Sequence, residues 1–335
     1  MKALVLKSYG KRANLDFETI ARPVIKENEI LVKIHAVGLN PIDYMIPEGT
    51  FKPVLHFTLP AVMGSDLAGT VVQTGSKVTR FRNGDAVYAS LFDMNKGSLA
   101  EYAAVPESAA ALKPKSLSFT DAASLPMVSL TAWQAFERAG VSEGQRVFIP
   151  AGSGGIGTFA IQLARYLGAS VATTTSAGNV DLVRSLGAQQ VIDYKTQHFE
   201  TILKDYDMVL GTVRGDSVEK SVEILRPGGQ IVSLIGPLDS EFARERNMNP
   251  IMKALFWLMS RKIHKLSARR DVKYTFHFVH PDGGKLAAIS TLVDAGHIRP
   301  VIDRVFTFDE TLSALSYLKA GHAKGKVVVE LPVSP

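Results

Sequence analysis

Residues 146–168 read RVFIPAGSGGIGTFAIQLARYLG. A short apolar run at 146–150 leads into a turn of glycines. Residues 156–167 follow, with apolar side chains recurring at helical spacing. Gly152, Gly154 and Gly157 satisfy G-x-G-x-x-G, and Ser153, Gly155 and Ile156 fill the positions between them. Such a turn has meaning only between a strand and a helix. The strand delivers the loop at the carboxyl edge of a sheet. The helix offers the free N–H groups and partial positive charge of its amino end to a pyrophosphate. Both flanks are present, so the stretch predicts a dinucleotide-binding turn rather than a plain tight one.

On the carboxyl side of the turn, strand and helix alternate. Strands are predicted at 170–174, 191–193, 208–210 and 230–235. Helices are predicted at 179–186 and at 217–225, the latter stopped by Pro227, Gly228 and Gly229. This alternation predicts an α/β fold, a Rossmann doubly wound parallel sheet. The amino side reads differently. Short β-like runs at 30–37, 69–73 and 85–89 alternate with Gly, Pro and Asn turns, as in an irregular barrel or roll. A helical stretch at 120–140, with Thr120 as its cap and Pro126 as a break, leads into the sheet. A strand at 325–331 closes the chain. The predicted organisation is a β domain formed by 1–117 and 276–335 around a dinucleotide domain at 118–275. The latter includes a basic insertion at about 237–275.

Composition fits two globular domains: 335 residues, 46% hydrophobic and 21% charged. The net charge of +6 reads as a solvated basic surface rather than a nucleic-acid site. There is no cysteine, which excludes disulfides and thiolate metal sites. The N-terminus, MKALVLKSYG, is too short in apolar residues for a signal-peptide core and reads as a first strand. These features give a cytoplasmic expectation.

The second strand identifies the nucleotide. An NAD site places Asp or Glu at its end to hold the ribose 2′-hydroxyl. Here Thr174, Thr175, Ser176 and Asn179 follow, with no acid before Asp181. Hydroxyls and amides accept a 2′-phosphate that a carboxylate would repel, so NADPH is expected over NADH.

Several ordered motifs then resemble the medium-chain dehydrogenase/reductase superfamily, in its zinc-independent quinone oxidoreductase and alkenal/enone reductase branch. They are GLNPID at 38–43, GSDLAG at 64–69, GDAV at 84–87, GSLAEY at 97–102, LGA at 186–188, VIDY at 191–194 and GHAKGKVV at 321–328. The resemblance covers nearly the whole chain. It implies a GroES-like domain from both chain ends, an active-site cleft between the domains and a homodimer. It also implies reduction of quinones, enones or enals with NADPH and without zinc. In zinc-dependent relatives Cys and His stand where this chain has Asn40 and Ser65, both poor zinc ligands. The relatives also suggest Thr131 beside the nicotinamide, with Tyr194 and Lys324 near the 2′-phosphate. They often carry a Lys or Arg where this chain has Gly178.

Without a metal, charge developing on a carbonyl oxygen needs positioned donors. Asn40 and Tyr44 can supply an amide and a phenol. Asp43 and Asp66 read as structural. Gly211, Thr212 and Ile235 end later strands at the carboxyl edge and read as cofactor walls. Residues 244–273 are strongly basic with an apolar helical stripe. A flap over the substrate is favoured there, and an amphipathic helix on anionic lipid is the competing reading. Two other classes fit the chain less well: a non-catalytic NADPH-binding redox sensor or structural protein, and a zinc-free dehydrogenase of saturated alcohols.

Overall fold

The computed structural model describes residues 1–10, 13–55 and 57–332. The chain divides into two compact units, Met1–Leu130 with His280–Pro335, and Thr131–Val279. The divisions read from composition, at 117/118 and 275/276, lie a short distance from these.

The second unit is built on six parallel strands. Their spatial order is Gln190–Asp193, Ser170–Thr175, Arg146–Ile149, Tyr206–Gly211, Leu225–Ser233, Lys273–Phe276. From Arg146–Ile149 the chain adds two strands on one side, then crosses to add three on the other. Ligands of open α/β sheets bind beyond the carboxyl ends at such a reversal. A parallel sheet covered on both faces needs continuously apolar strands. Val147, Phe148 and Ile149 meet that need, as do Val209, Leu210 and Ile231, all fully buried. Each such side chain contributes roughly 1.5–3 kcal/mol.

The basic insertion differs from its sequence reading. The strand at 230–235 is not the last one. Helices Ser240–Glu245 and Pro250–Ala268 lead to a sixth strand, Lys273–Phe276, parallel to Leu225–Ser233. The longer helix packs against the helix Ser217–Ile224 and the sixth strand. Its Ile263 joins Val218, Ile224 and Tyr274 in one apolar cluster. A flap needs a segment free to lift, whereas this helix is a packed crossover connection.

The first unit is mostly antiparallel. Lys2–Ser8 lies between Asn14–Thr19 and Ala61–Val62. A seven-stranded sheet centres on Glu29–Leu39, flanked by Asp66–Thr74 and by the last strand, Lys326–Glu330. Val327 pairs with Leu39, which sets Lys326 beside the turn that follows Leu39. The helical stretch also starts differently. Ser118 caps Phe119–Ala123, its Oγ accepting from the Asp121 N–H at 3.0 Å, while Thr120 instead donates to Glu330. Pro126 opens the next helix, Pro126–Ala139, where a missing N–H is harmless.

Candidate functional site

In the second unit the glycine turn is built as the sequence predicts. Arg146–Ile149 ends at the sheet edge, and the helix Gly155–Tyr166 starts five residues beyond Pro150. Ala151 holds φ at +56°, a strained value for a residue with a Cβ. The Gly152 N–H donates to Thr174 O and the Gly154 N–H to Ala151 O, both at 3.0 Å. A Cβ on Gly152 would overlap the Thr173 hydroxyl. A Cβ on Gly154 would meet only Ala151 O, at 3.4 Å. The first glycine thus serves internal packing, and the second leaves open approach to the backbone. Gly154 is also the N-cap and brings no capping side chain. The amino end of the helix is left to an anion.

The second strand ends in a polar knot. Thr175 Oγ1 donates to Ser153 Oγ at 2.9 Å, and Asn179 Nδ2 reaches Ser153 Oγ at 3.2 Å and Ser176 Oγ at 3.3 Å. The nearby Asp193 carboxylate is turned onto the Lys195 N–H at 3.0 Å. Tyr194 is 60% exposed next to it. Space is open around Gly178. Thr212 Oγ1 donates to Pro150 O at 2.7 Å, tying together the loops on either side of the strand reversal. Gly211 packs on Ser233, and Ile235 packs on the apolar core. Thr131 is buried. These side chains and this loop fit a nicotinamide dinucleotide, with the phosphates over the helix end. Lys324 lies in the other unit and is exposed.

The first unit holds a second polar cluster. Pro41 starts the short helix Pro41–Met45, and Asp43 reaches back to accept from the Asn40 N–H at 2.7 Å, half of a capping box. Asn40 is buried. Its Nδ2 donates to Ser65 Oγ at 3.0 Å and to Asp66 Oδ2 at 2.9 Å, and its Oδ1 accepts from Lys326 Nζ at 2.6 Å. Both amide hydrogens are therefore committed inside the unit, and Asn40 is not the outward donor expected of it. Ser65 Oγ lies 3.1 Å from Asp43 Oδ1. Asp66 also accepts from the Met127 N–H at 3.1 Å. Tyr44 is half-buried near Lys319. Asp43 and Ser65 line a small pocket with Met63, Phe92 and Lys96.

Lys326 escaped the sequence reading, although GHAKGK contains it. It is buried, bonds Leu39 O at 2.8 Å and sits 3.7 Å from Asp66. Two carboxyls thus share one ammonium in a buried site. Burial pushes the Asp43 carboxyl up to about 7, and the Asp66 charge adds to the rise. The Asn40 N–H, Lys326 and Ser65 oppose it. Burial also raises Asp66 and lowers Lys326.

Sheet order and glycine turn define a Rossmann-type dinucleotide-binding protein. Comparison with known proteins narrows this. Residues 26–115 match the alcohol dehydrogenase GroES-like domain, and residues 186–329 match the zinc-binding dehydrogenase family. The mitochondrial NAD(P)H oxidoreductase RTN4IP1 of Danio rerio is 36% identical over 99% of this chain and 91% of its own length. The chloroplastic NADPH-dependent alkenal/one oxidoreductase of Arabidopsis thaliana is 36% identical over 98% of this chain and 79% of its own. The quinone oxidoreductase of Coxiella burnetii superposes with a TM-score of 0.84 at 30% identity, over 99% of both chains. The chain belongs to the medium-chain dehydrogenase/reductase superfamily, in its zinc-independent quinone and enone reductase branch, and is an oxidoreductase.

The family name raises zinc, and the donors here do not fit it. Asn40 Oδ1 faces an ammonium, its amide hydrogens face two oxygens, and Ser65 offers a neutral hydroxyl. Among the described residues no three His, Cys, Asp or Glu side chains cluster as metal ligands. One expectation is overturned. Relatives named mitochondrial and chloroplastic point away from the cytoplasm. Compartment is set by address segments rather than by the fold, so globular composition carried no such information.

Proposed function

We propose that this protein reduces quinones or α,β-unsaturated carbonyls with NADPH as the hydride donor. The observation that carries the reading is the open helix end at Gly155, beside a second-strand terminus made of hydroxyls and an amide. The full-length likeness to alkenal/one and quinone oxidoreductases supplies the substrate class.

When bound, the dinucleotide supplies a hydride to the conjugated substrate, and one proton completes the two-electron reduction. The backbone N–H groups at the start of Gly155–Tyr166 hold the pyrophosphate. Ser153, Thr175, Ser176 and Asn179 receive the 2′-phosphate, with Tyr194 beside them. Thr131, Gly211, Thr212 and Ile235 would border the nicotinamide half, and Lys324, in the other unit, is a candidate for the 2′-phosphate on the family resemblance alone.

Asp43 is the candidate proton source within the first unit. Asp43 keeps a proton near neutrality because burial penalises its charged form and the Asp66 charge adds to the rise. Ser65 Oγ lies between Asp43 and Asn40, and both Asp43 and Ser65 line the pocket. Asn40 is a positioning residue that aims Ser65 and Asp66. Tyr44, half-buried near Lys319 and outside the residues that line this pocket, is the second candidate donor to charge developing on a substrate oxygen.

The test follows NADPH and NADH oxidation with 1,4-benzoquinone and with an alkenal, and NADP reduction with a saturated alcohol. Turnover of the first two, faster with NADPH and unchanged after dialysis against a chelator, is the expected result. Tight NADPH binding with no turnover would instead mark a non-catalytic sensor.

A further inference from the structure

The helix Pro250–Ala268 has two faces. Phe256, Ser260, Ile263 and Ser267, spaced four, three and four residues apart, are buried on the sheet side. Ile251, Leu255 and Leu258 follow the same spacing on the opposite side, and Lys262, Lys265 and Arg269 continue their line. Ile251 is 78% exposed, Leu258 59%, Trp257 54% and Met259 50%. Single exposed apolar residues need no explanation, but a contiguous set on one helix does. Nothing in the fold of this unit requires it, since Phe256 and Ile263 already anchor the helix.

Charge on the outward face is one-sided. The helix contains no Asp or Glu. Its second half and the residues after it carry Arg261, Lys262, Lys265, Arg269 and Arg270. Lys262 pairs with Glu219 at 2.8 Å and Arg270 approaches Glu223 at 3.8 Å. Among the described residues Lys265 and Arg269 make no ion pair and point their charge at solvent.

We infer that this outward face docks the protein on an anionic lipid surface, with the helix lying in the plane of the interface. The apolar first half enters the headgroup boundary, with Trp257 on the flank of the stripe beside Arg261, at the edge of the docked face. The basic second half meets the negative surface potential, each cation near the surface adding to the attraction. A lipid surface satisfies both halves of the stripe at once. A second copy docked in parallel would set Lys265 and Arg269 against their own like charges, and an antiparallel copy would set each apolar half against a basic one. Among the described residues no helix is long and apolar enough to cross a bilayer, so this attachment is peripheral. The inference stands apart from the proposed chemistry.

The experiment is co-flotation of the full chain with vesicles of phosphatidylcholine, with or without one third phosphatidylglycerol, at low and moderate salt. A Trp133→Phe background leaves Trp257 as the only indole, so its emission reports insertion. Flotation with the anionic vesicles, weakened by salt and accompanied by a blue shift, is expected. The Leu255→Glu/Leu258→Glu variant should bind about tenfold less or worse. Lys265→Glu/Arg269→Glu should lose the preference for anionic lipid. Circular dichroism confirms that both variants remain folded. Absence of flotation at low salt overturns the inference. So does equal flotation by the Leu255→Glu/Leu258→Glu variant, or a stable dimer that this variant converts to monomer, because the face would then be covered by a second copy.

Discussion

The Lys326 ammonium donates to Asn40 Oδ1 at 2.6 Å, joining residues 286 positions apart in the chain. The contact exists because Lys326–Glu330 pairs antiparallel with Glu29–Leu39, whose carboxyl end runs into Asn40. One ammonium thereby fixes the Asn40 amide, faces Asp66 and partly offsets the burial that raises Asp43. The sheet of the first unit and its polar cluster are one construction.

Removing that ammonium leaves two buried carboxyls without a cation. Lys326→Met, close in volume, is expected to destabilise the protein by about 3–5 kcal/mol, the usual result of deleting one partner of a buried pair. Adding Asp66→Asn should recover part of the loss. A urea midpoint for each variant decides. If Lys326→Met unfolds at the wild-type midpoint, the cluster carries no net charge coupling.

Asp43 gives stability a pH dependence of definite sign. Its carboxyl is raised from 3.8 in the unfolded chain to about 7 in the folded protein. Between these values the folded state holds the proton and the unfolded state does not. Its contribution is therefore full below about pH 3.8, falls as pH rises, and is gone above about 7. The slope within that window is at most about 1.4 kcal/mol per pH unit. Asp43→Asn keeps the shape of the side chain and removes the titration. Wild-type stability minus variant stability should fall steadily from pH 4 to 7. Parallel curves across that range would show that Asp43 is ionised in the folded state.

What could be read in the sequence followed what is local. The turn at Gly152–Gly157 shows itself because strand, glycines and helix are consecutive, and each obeys its own short-range rule. The hydroxyl-rich end of the second strand is local too. Lys326 was hidden because its role arises from strand pairing across nearly the whole chain, and a lysine near a strand end ordinarily reads as solvated. Asn40 reads from the sequence as an amide donor, but its partners at Ser65, Asp66 and Lys326 cannot be counted from spacing, so its hydrogens look free. The segment 237–275 misled for another reason. Its helix exposes apolar side chains, and its strand, Lys273–Phe276, has only four residues, so periodicity gave a detached element where the fold has a crossover.

The two glycines of the turn should respond differently. Gly154→Val places its side chain in space open to a ligand, with only Ala151 O nearby, so the unit keeps its fold while the approach to the backbone is blocked. NADPH affinity measured by fluorescence titration should fall at least about a hundredfold, or roughly 2.7 kcal/mol. Gly152→Val meets the Thr173 hydroxyl and Ile161 instead, so it should lower the unfolding midpoint as well as binding. Wild-type affinity in Gly154→Val would place the phosphates elsewhere.

Cofactor choice is the sharpest test of the second-strand terminus. Ser153, Thr175, Ser176 and Asn179 are held to one another by hydrogen bonds of 2.9–3.3 Å, and the Asp193 carboxylate is occupied by the Lys195 N–H. An additional carboxylate at Ser176 would stand where a 2′-phosphate is proposed to lie, and two like charges a few ångströms apart near a protein surface repel by a few kcal/mol before screening. The same carboxylate can accept hydrogen bonds from the free 2′- and 3′-hydroxyls of NADH. Ser176→Asp should therefore lower kcat/KM for NADPH by about tenfold or more and leave that for NADH equal or improved, with a smaller effect at high salt. Steady-state rates with both cofactors at two ionic strengths measure this directly. A variant that loses both cofactors equally would mean that Ser176 supports the turn without facing the phosphate, and the preference would then have to arise from Tyr194 or Lys324.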